Sequence, residues 1–354
     1  MATRTESRRR SRTWTCALSI AVVAATAAAC TDGDQAATGT TTTGTSTVAR
    51  PAAGTVQGLL RLGRPIVLAH AGGDDVHPHD TPYGFVRSAA DGVDVLDMDV
   101  QLSRDGVLVI QHDDTVDRTT NGTGAVASLT YEQLHALDAA HWFTRGCTCT
   151  GRPAKDYVLR GVRTGDQPAP AGTTPDVLAI SRFPDVARRF PHHVLNIEIK
   201  GRAPAALPAA AELAREVRVL GRTGSVVVTS FDDAVVDAFA SAAPGVAITP
   251  GLGATAAYVQ AGTLPAAGRR ILQIPPAYEG YQVLTPDLVA RAHRDGLVLW
   301  IWPDEARWET GPGYRQLLDL GVDGVNAADP ATAVRVLRSR TGTGSPPRRS
   351  ATPG

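Results

Sequence analysis

Asp97, Asp99 and His112 are the residues of this chain whose types and spacing point most directly to chemistry. The stretch Val95-Leu96-Asp97-Met98-Asp99-Val100-Gln101-Leu102 alternates apolar and polar residues, the period of a strand with one buried face. Asp105-Gly106 then supplies a hairpin turn signal, and Val107–His112 reads as the returning strand. A two-residue loop at Asp105 and Gly106 pairs Asp99 with His112, and directly opposed residues have Cβ atoms about 4.5–5.5 Å apart. Two carboxylates on one face with an imidazole beside them suit a metal site with an acid/base partner.

Other residues gather the same way. His70 ends the apolar run Ile66–His70, and Leu195-Asn196-Ile197-Glu198-Ile199-Lys200 aligns Asn196, Glu198 and Lys200 on one face. Polar side chains inside strands this apolar cost free energy unless they are paired or coordinate something. Asp97, Asp99 and Glu198 form an all-oxygen ligand set, which favours Mg²⁺ or Ca²⁺. Taken singly, each carboxylate reads as a salt-bridge or strand-end residue, and His70 alone reads equally as a core histidine. Lys200 is either the ion-pair partner of Glu198 or a neutraliser of substrate phosphate. His77-Pro78-His79 reads as a surface loop near the barrel mouth, with a second metal motif as the alternative.

Positioning those residues requires a particular scaffold. Candidate strands are Ile66–His70, Val95–Val100, Val194–Lys200, Val226–Phe231, Val246–Thr249, Ile271–Ile274, Leu297–Trp302 and Val322–Asn326, with Val107–His112 as a hairpin arm. Helical stretches occupy Tyr83–Ala90, Ala206–Leu220, Ala234–Ala242, Pro286–Asp295 and Tyr314–Leu320. Strands alternating with helices imply parallel β-α-β units, and eight of them imply an α/β fold of the (β/α)₈ TIM-barrel type. That barrel carries a hairpin extension after its second strand. A doubly wound open sheet is the alternative, but the first turn, Ala69-His70-Ala71-Gly72-Gly73, lacks the Gly-x-Gly-x-x-Gly spacing. The segment from about 113 to 178 reads as an insertion over the barrel mouth, in which only Tyr131–Ala139 looks helical.

The ends of the chain differ from its middle. Arg4, Arg8, Arg9, Arg10 and Arg12 precede the apolar run Ala17–Ala29 and then Cys30. Residues 1–30 thus read as an export signal, with Cys30 as the lipidated residue of a lipoprotein or simple secretion as the alternative. The paired arginines also permit twin-arginine export. On this reading the protein sits on the outer face of the cell membrane through a lipid on Cys30, or is secreted. Residues 31–55 are a Thr/Gly/Ala linker, 56–338 the barrel domain and 339–354 a disordered tail. The formal net charge is zero, which excludes a broad basic face for nucleic acid. No protein partner is implied. Cys147 and Cys149 remain for a structural loop disulfide in an oxidising compartment, or less simply for a soft metal.

The ordered set of motifs resembles the glycerophosphodiester phosphodiesterase family of the phospholipase-C-like barrel superfamily. The resemblance runs from Ile66 to Pro330 and is strongest over Asp94–Gly124, including Gln111-His112-Asp113 and Asp117-Arg118-Thr119-Thr120-Asn121-Gly122. Asn196–Lys200, Thr229-Ser230-Phe231-Asp232, Trp302 and Gly321-Val322-Asp323-Gly324 complete it. It implies metal-dependent hydrolysis of a glycerophosphodiester to an alcohol and glycerol 3-phosphate. By this resemblance His70 and His112 are the acid/base pair, Asp97, Asp99 and Glu198 hold the divalent cation, Lys200 contacts phosphate and Trp302 lines the substrate pocket. The alternatives are a sphingomyelinase-D-like phospholipid lyase and a non-catalytic lipoprotein that binds a phosphorylated polyol. The chain also departs from the family. Ala71 stands where an Arg is usual, His79-Asp80-Thr81 where Glu-Asn-Thr is usual, Asp97 for a Glu, and Asn326-Ala327-Ala328-Asp329 for an Ile-Thr-Asp run. His79 is the residue expected to restore the lost positive charge on phosphate.

Overall fold

The computed structural model describes residues 51–341. The export signal, Cys30 and most of the linker lie outside the described residues, as do residues 342–354. Eight parallel strands form the frame: β1 (Ile66–Ala69), β2 (Val95–Leu102), β3 (Val194–Ile199), β4 (Val226–Thr229), β5 (Ala247–Ile248), β6 (Ile271–Ile274), β7 (Val298–Ile301) and β8 (Gly324–Ala327). They are hydrogen-bonded in the order β5-β4-β3-β2-β1-β8-β7-β6, a nearly closed barrel. Among the described residues no ladder joins β5 to β6, and β5, at two residues, offers little to pair with.

Alternation along the strands sorts their side chains. Val67, Ala69, Leu96, Met98, Val100, Ile197 and Val325 belong to the large outer core shared with the surrounding helices. Leu68, Val95, Val194, Val227, Ile271 and Trp300 form a separate inner cluster, which Val56 and Leu59 of the helix Val56–Leu60 close off. Burying such side chains contributes roughly 1.5–3 kcal/mol each. All five expected helices are present, as Pro82–Asp91, Leu207–Val219, Asp233–Ala242, Pro286–Arg294 and Gly311–Asp319. Three more, Phe183–Arg189, Leu252–Ala261 and Pro330–Thr341, complete the ring. Leu252–Ala261 is Ala-rich and lacks a one-sided apolar stripe. Pro330–Thr341 extends past the boundary expected at 338.

The hairpin corrects one expectation. Its ladder pairs Val100 with Ile110, Gln101 with Val109 and Leu102 with Leu108, so Asp99 faces Gln111, whose N–H donates to the Asp99 carbonyl at 3.0 Å. The register differs by one residue because the loop holds three residues rather than two. Gly106 adopts φ +77°, and the Gly106 N–H donates to the Ser103 carbonyl, a turn closed by a left-handed glycine.

None of the residues of segment 113–178 lines the central pocket, though Arg118 and Gly146 reach Asp113 and Asp75 at its edge. The segment packs beside the hairpin in two small cores of its own. One holds Val116, Val126, Leu134 and Ala139 with Val109 and Ile180, the other Ala140, Phe143, Leu159, Val162, Val177 and Leu178. The helix within it is Tyr131–Ala136, shorter than expected and held by a Thr130–Gln133 capping box. Cys147 and Cys149 form a disulfide here.

Candidate active site

A pocket of about 400 Å³ opens at the carboxyl ends of the strands and is lined by His70, Asp97, Asp99, His112, Glu198, Lys200 and Trp302. Strand alternation delivers most of them. Asp97 and Asp99 on β2 lie in register with Asn196 and Glu198 on β3, and Lys200 continues that ladder by donating its N–H to the Val100 carbonyl. His112 arrives differently. It follows the end of the hairpin arm Leu108–Ile110, and the Gln101 side-chain amide donates to the carbonyls of Gln111 and Asp113, both at 2.8 Å. That grip on either side of His112 fixes the segment which turns the imidazole into the pocket.

Both imidazoles are oriented by carboxylates. His70 Nδ1 lies 2.9 Å from Asp74 Oδ1, and His112 Nδ1 lies 2.7 Å from Asp113 Oδ1. A carboxylate only accepts, so each Nδ1 donates and each Nε2 is left to work. Burial opposes charge on His70, yet the adjacent Asp74, with Asp97 and Asp99 behind it, holds its pKa well above the usual histidine value. Asp74 is held well below the carboxylate range, its own burial outweighed by His70. Asp113 is similarly low, because its bonds to His112 and Arg118 overcome burial. Arg118 grips Asp113 through Nε at 2.6 Å and Nη2 at 2.9 Å.

The carboxylates are crowded. Asp97 is buried and accepts amide N–H bonds from Asn196 and from Asn326, the latter at 2.8 Å; burial raises its pKa. Lys200 Nζ sits 2.9 Å from Glu198 and 3.6 Å from Asp99. Burial and the neighbouring Asp99 push Glu198 up to about 7. Asp99 moves down, since Lys200 and the three histidines outweigh its burial. Asp80, which no expectation included, is buried, and burial together with Asp99 raises its pKa well above the usual range.

His79 behaves otherwise than expected. It is buried, at 6% exposure, rather than part of a surface loop. It stands edge-on to both His70 and His112, with ring centroids 6.2 and 5.3 Å away. It does not line the pocket, and burial lowers its pKa. Away from the pocket lining, and with burial disfavouring its charge, this imidazole is poorly placed to replace the lost arginine on phosphate. It belongs instead to the described group of donors that converges for a metal: one atom each from His79, Asp80 and Asp99, all within 4.8 Å of one another. Asp99 is the one member this group shares with the expected Asp97–Asp99–Glu198 set. The donor chemistry fits a divalent cation. Asp80 Oδ2 is buried with no hydrogen-bond partner, although His79 Nδ1 lies 3.2 Å away, and a bound cation satisfies such an atom.

Sequence reasoning missed Asp74, Asp80, Asn326 and Gln273 as parts of the site. Asn326 lies on β8 facing the barrel interior, and Gln273 on β6 exchanges amide hydrogen bonds with Asn196. Strand parity marked both. Asp74 lies four residues after His70, in the turn that follows the bent 3₁₀ segment His70–Gly72, for which the sequence carried no signal.

Comparison with known proteins places these features. Residues 70–332 match the model of the glycerophosphoryl diester phosphodiesterase family. A glycerophosphodiester phosphodiesterase of Caldanaerobacter subterraneus subsp. tengcongensis is 26% identical over 280 residues, covering 78% of this chain and 98% of that protein. A putative glycerophosphodiester phosphodiesterase of Bacillus subtilis is 42% identical over 94 residues, 27% of this chain and 39% of that protein. An Oleispira antarctica phosphodiesterase, solved in complex with the product sn-glycerol-3-phosphate, shares the fold with a TM-score of 0.57 at 18% identity, covering 78% of this chain and 97% of that one. The family match begins at the first pocket histidine and runs through β2 to β8, so this chain belongs to the glycerophosphoryl diester phosphodiesterase family and is a phosphoric diester hydrolase.

Proposed function

We propose that this protein hydrolyses glycerophosphodiesters to an alcohol and glycerol 3-phosphate by two-histidine acid/base catalysis with a divalent cation. The observation that carries this reading is the pair of carboxylate-oriented imidazoles, His70 on Asp74 and His112 on Asp113, facing one pocket with Lys200 and the acidic cluster. The glycerol 3-phosphate bound by the Oleispira antarctica phosphodiesterase supports the product assignment.

His70, held protonated beside Asp74, donates its Nε2 proton to the departing alkoxide. His112 accepts a proton from the attacking hydroxyl, that of water or of the substrate's neighbouring alcohol. The new P–O bond forms as the ester P–O bond breaks, and the two imidazoles exchange protonation states. Lys200, whose pKa Asp99 and Glu198 raise against the effect of burial, orients a phosphoryl oxygen. Asp99 would anchor the cation, with Asp80 and His79 on one side and Asp97 and Glu198 facing the same pocket. Mg²⁺ and Ca²⁺ are the cations this reading favours. Bound there, a divalent cation supplies positive charge against the phosphoryl oxygens in the transition state.

Purified protein given glycerophosphoglycerol, with and without chelator, tests the reading by phosphorus NMR. Cation-dependent appearance of glycerol 3-phosphate is the expected result. A cyclic phosphate as end product would make the protein a lyase, and no product at any cation concentration would leave a binding protein. For location, the basic start, the run Ala17–Ala29 and Cys30 support export and lipidation. Fatty-acid labelling that survives Cys30→Ala would reject the anchor. No described helix is long and apolar enough to cross a membrane.

A further inference from the structure

Glu309 takes no part in the chemistry above, yet it sits where three connections around His70 meet. It lies between β7 and the helix Gly311–Asp319, and in the barrel β8 runs between β7 and β1. Glu309 is half-buried, and its Oε2 accepts two bonds. One comes from the Ala328 N–H at 2.9 Å, the other from the Tyr314 hydroxyl. Tyr314 is fully buried, and its oxygen in turn accepts from the Asp329 N–H at 3.0 Å. Glu309 and Tyr314 thereby fix the main chain just after β8. These are residues of the run Asn326-Ala327-Ala328-Asp329 that departs from the usual family pattern, and here their backbone makes the link.

The turn that carries Asp74 is seated on that same stretch of chain. The Asp75 N–H donates to the Ala328 carbonyl at 3.2 Å. Gly73, at φ +88°, lies so close to Pro330 that a Cβ there would meet its ring at 2.9 Å. Between these two anchors, Asp74 accepts from His70 Nδ1. Burial pushes the Glu309 carboxyl up to about 7, and His70 and Asp74 are near enough to act on its charge. Without Glu309 the buried Ala328 N–H has no acceptor, and a backbone group left so must move to find one. Small displacements of a proton donor are costly in rate. We propose that Glu309 is a positioning residue for His70: through the Ala328 peptide it holds the Asp74 turn where it aims His70 Nε2 at the leaving group. The effect on turnover rests on the hydrolase reading above; the placement of His70 does not.

Proton NMR at low temperature reads the His70 Nδ1–H directly, as a downfield resonance assigned by its loss in His70→Ala. In Glu309→Leu, which removes the acceptor of both bonds, that resonance should shift or broaden away. In the same variant kcat for glycerophosphoglycerol should fall about 10–10²-fold with KM little changed, since Lys200 and the acidic cluster are untouched. Glu309→Gln, whose amide oxygen can accept both bonds, should restore both readings. Should Glu309→Leu fail to fold, Tyr314→Phe cuts the same network at its other donor. A resonance unmoved in the folded variant, or an unmoved kcat beside a lost resonance, overturns the proposal. So does a Glu309→Gln protein as impaired as Glu309→Leu. Wild-type protein that cleaves no glycerophosphoglycerol would overturn the hydrolase reading, and the resonance would still decide the placement of His70.

Discussion

Asp74 controls what His70 can do. Its carboxylate accepts from His70 Nδ1 at 2.9 Å and raises the imidazole pKa. Removing that charge lowers the pKa, so the protonated fraction falls at lower pH. In a kcat/KM pH profile, Asp74→Asn should therefore move the alkaline limb toward acid, with His70 still in place. An unmoved limb would show that Asp74 only packs. His79 tests the cation site in the same way. An imidazole among carboxylates favours later first-row metals over all-oxygen chemistry, so calorimetry should find Zn²⁺ binding more tightly than Mg²⁺. His79→Glu should shrink that difference, and equal affinities in both proteins would remove His79 from the ligand set.

Two of these residues also show where reading a sequence stops short. Strand parity made Asp97, Asp99, Asn196, Glu198 and Lys200 legible, because a polar side chain alternating in an apolar strand must face something. His79 and Asp80 sit in irregular chain after His70, where no period says which side chain points inward. Burial in the folded state, which only tertiary packing sets, placed His79 not in a surface loop but edge-on to His70 and His112, with its pKa lowered.

The hairpin shows how a local element reaches its end by another route. Asp-Gly announced the turn correctly, yet the left-handed Gly106 made a three-residue loop and moved every pairing by one. His112 still enters the pocket, because Gln101 holds the carbonyls flanking it. Gly106→Ala should cost about 1 kcal/mol through the positive φ alone, read as a small fall in thermal midpoint with kcat/KM preserved. Arg222 is a stronger strut. Its guanidinium donates to the carbonyls of Ala187, Phe190 and His193 at the end of helix Phe183–Arg189. Arg222→Met leaves those carbonyls unsatisfied and should cost roughly 3 kcal/mol in denaturant unfolding. A loss below about 1 kcal/mol would mean that water replaces the guanidinium without penalty.

At the scale of the whole molecule, the barrel order was legible because its strands and five of its helices announce themselves by period. The unjoined β5–β6 seam was not, since it depends on a two-residue ladder that composition does not mark. Holding several carboxylates in one buried pocket makes stability depend on pH. Glu198 titrates at about 7 in the folded protein against 4.5 for the free side chain, so the folded state binds the extra proton. The stability linked to it is present at low pH and lost as pH rises through that window. The metal-free protein should show its thermal midpoint falling between about pH 5 and 8, and added Mg²⁺ should reverse the fall. A midpoint indifferent to cation would argue that none binds.

The division of labour between the two imidazoles is tested most directly by the leaving group. Rates for His70→Ala and His112→Ala are compared on an alkyl glycerophosphodiester and on its p-nitrophenyl counterpart, whose phenolate departs without a proton. His112→Ala should lose about 10²–10⁴-fold on both substrates, whereas His70→Ala should lose that much on the alkyl ester and at least tenfold less on the nitrophenyl ester. Equal losses for His70→Ala on the two esters, or none on either, would contradict its place as the proton donor.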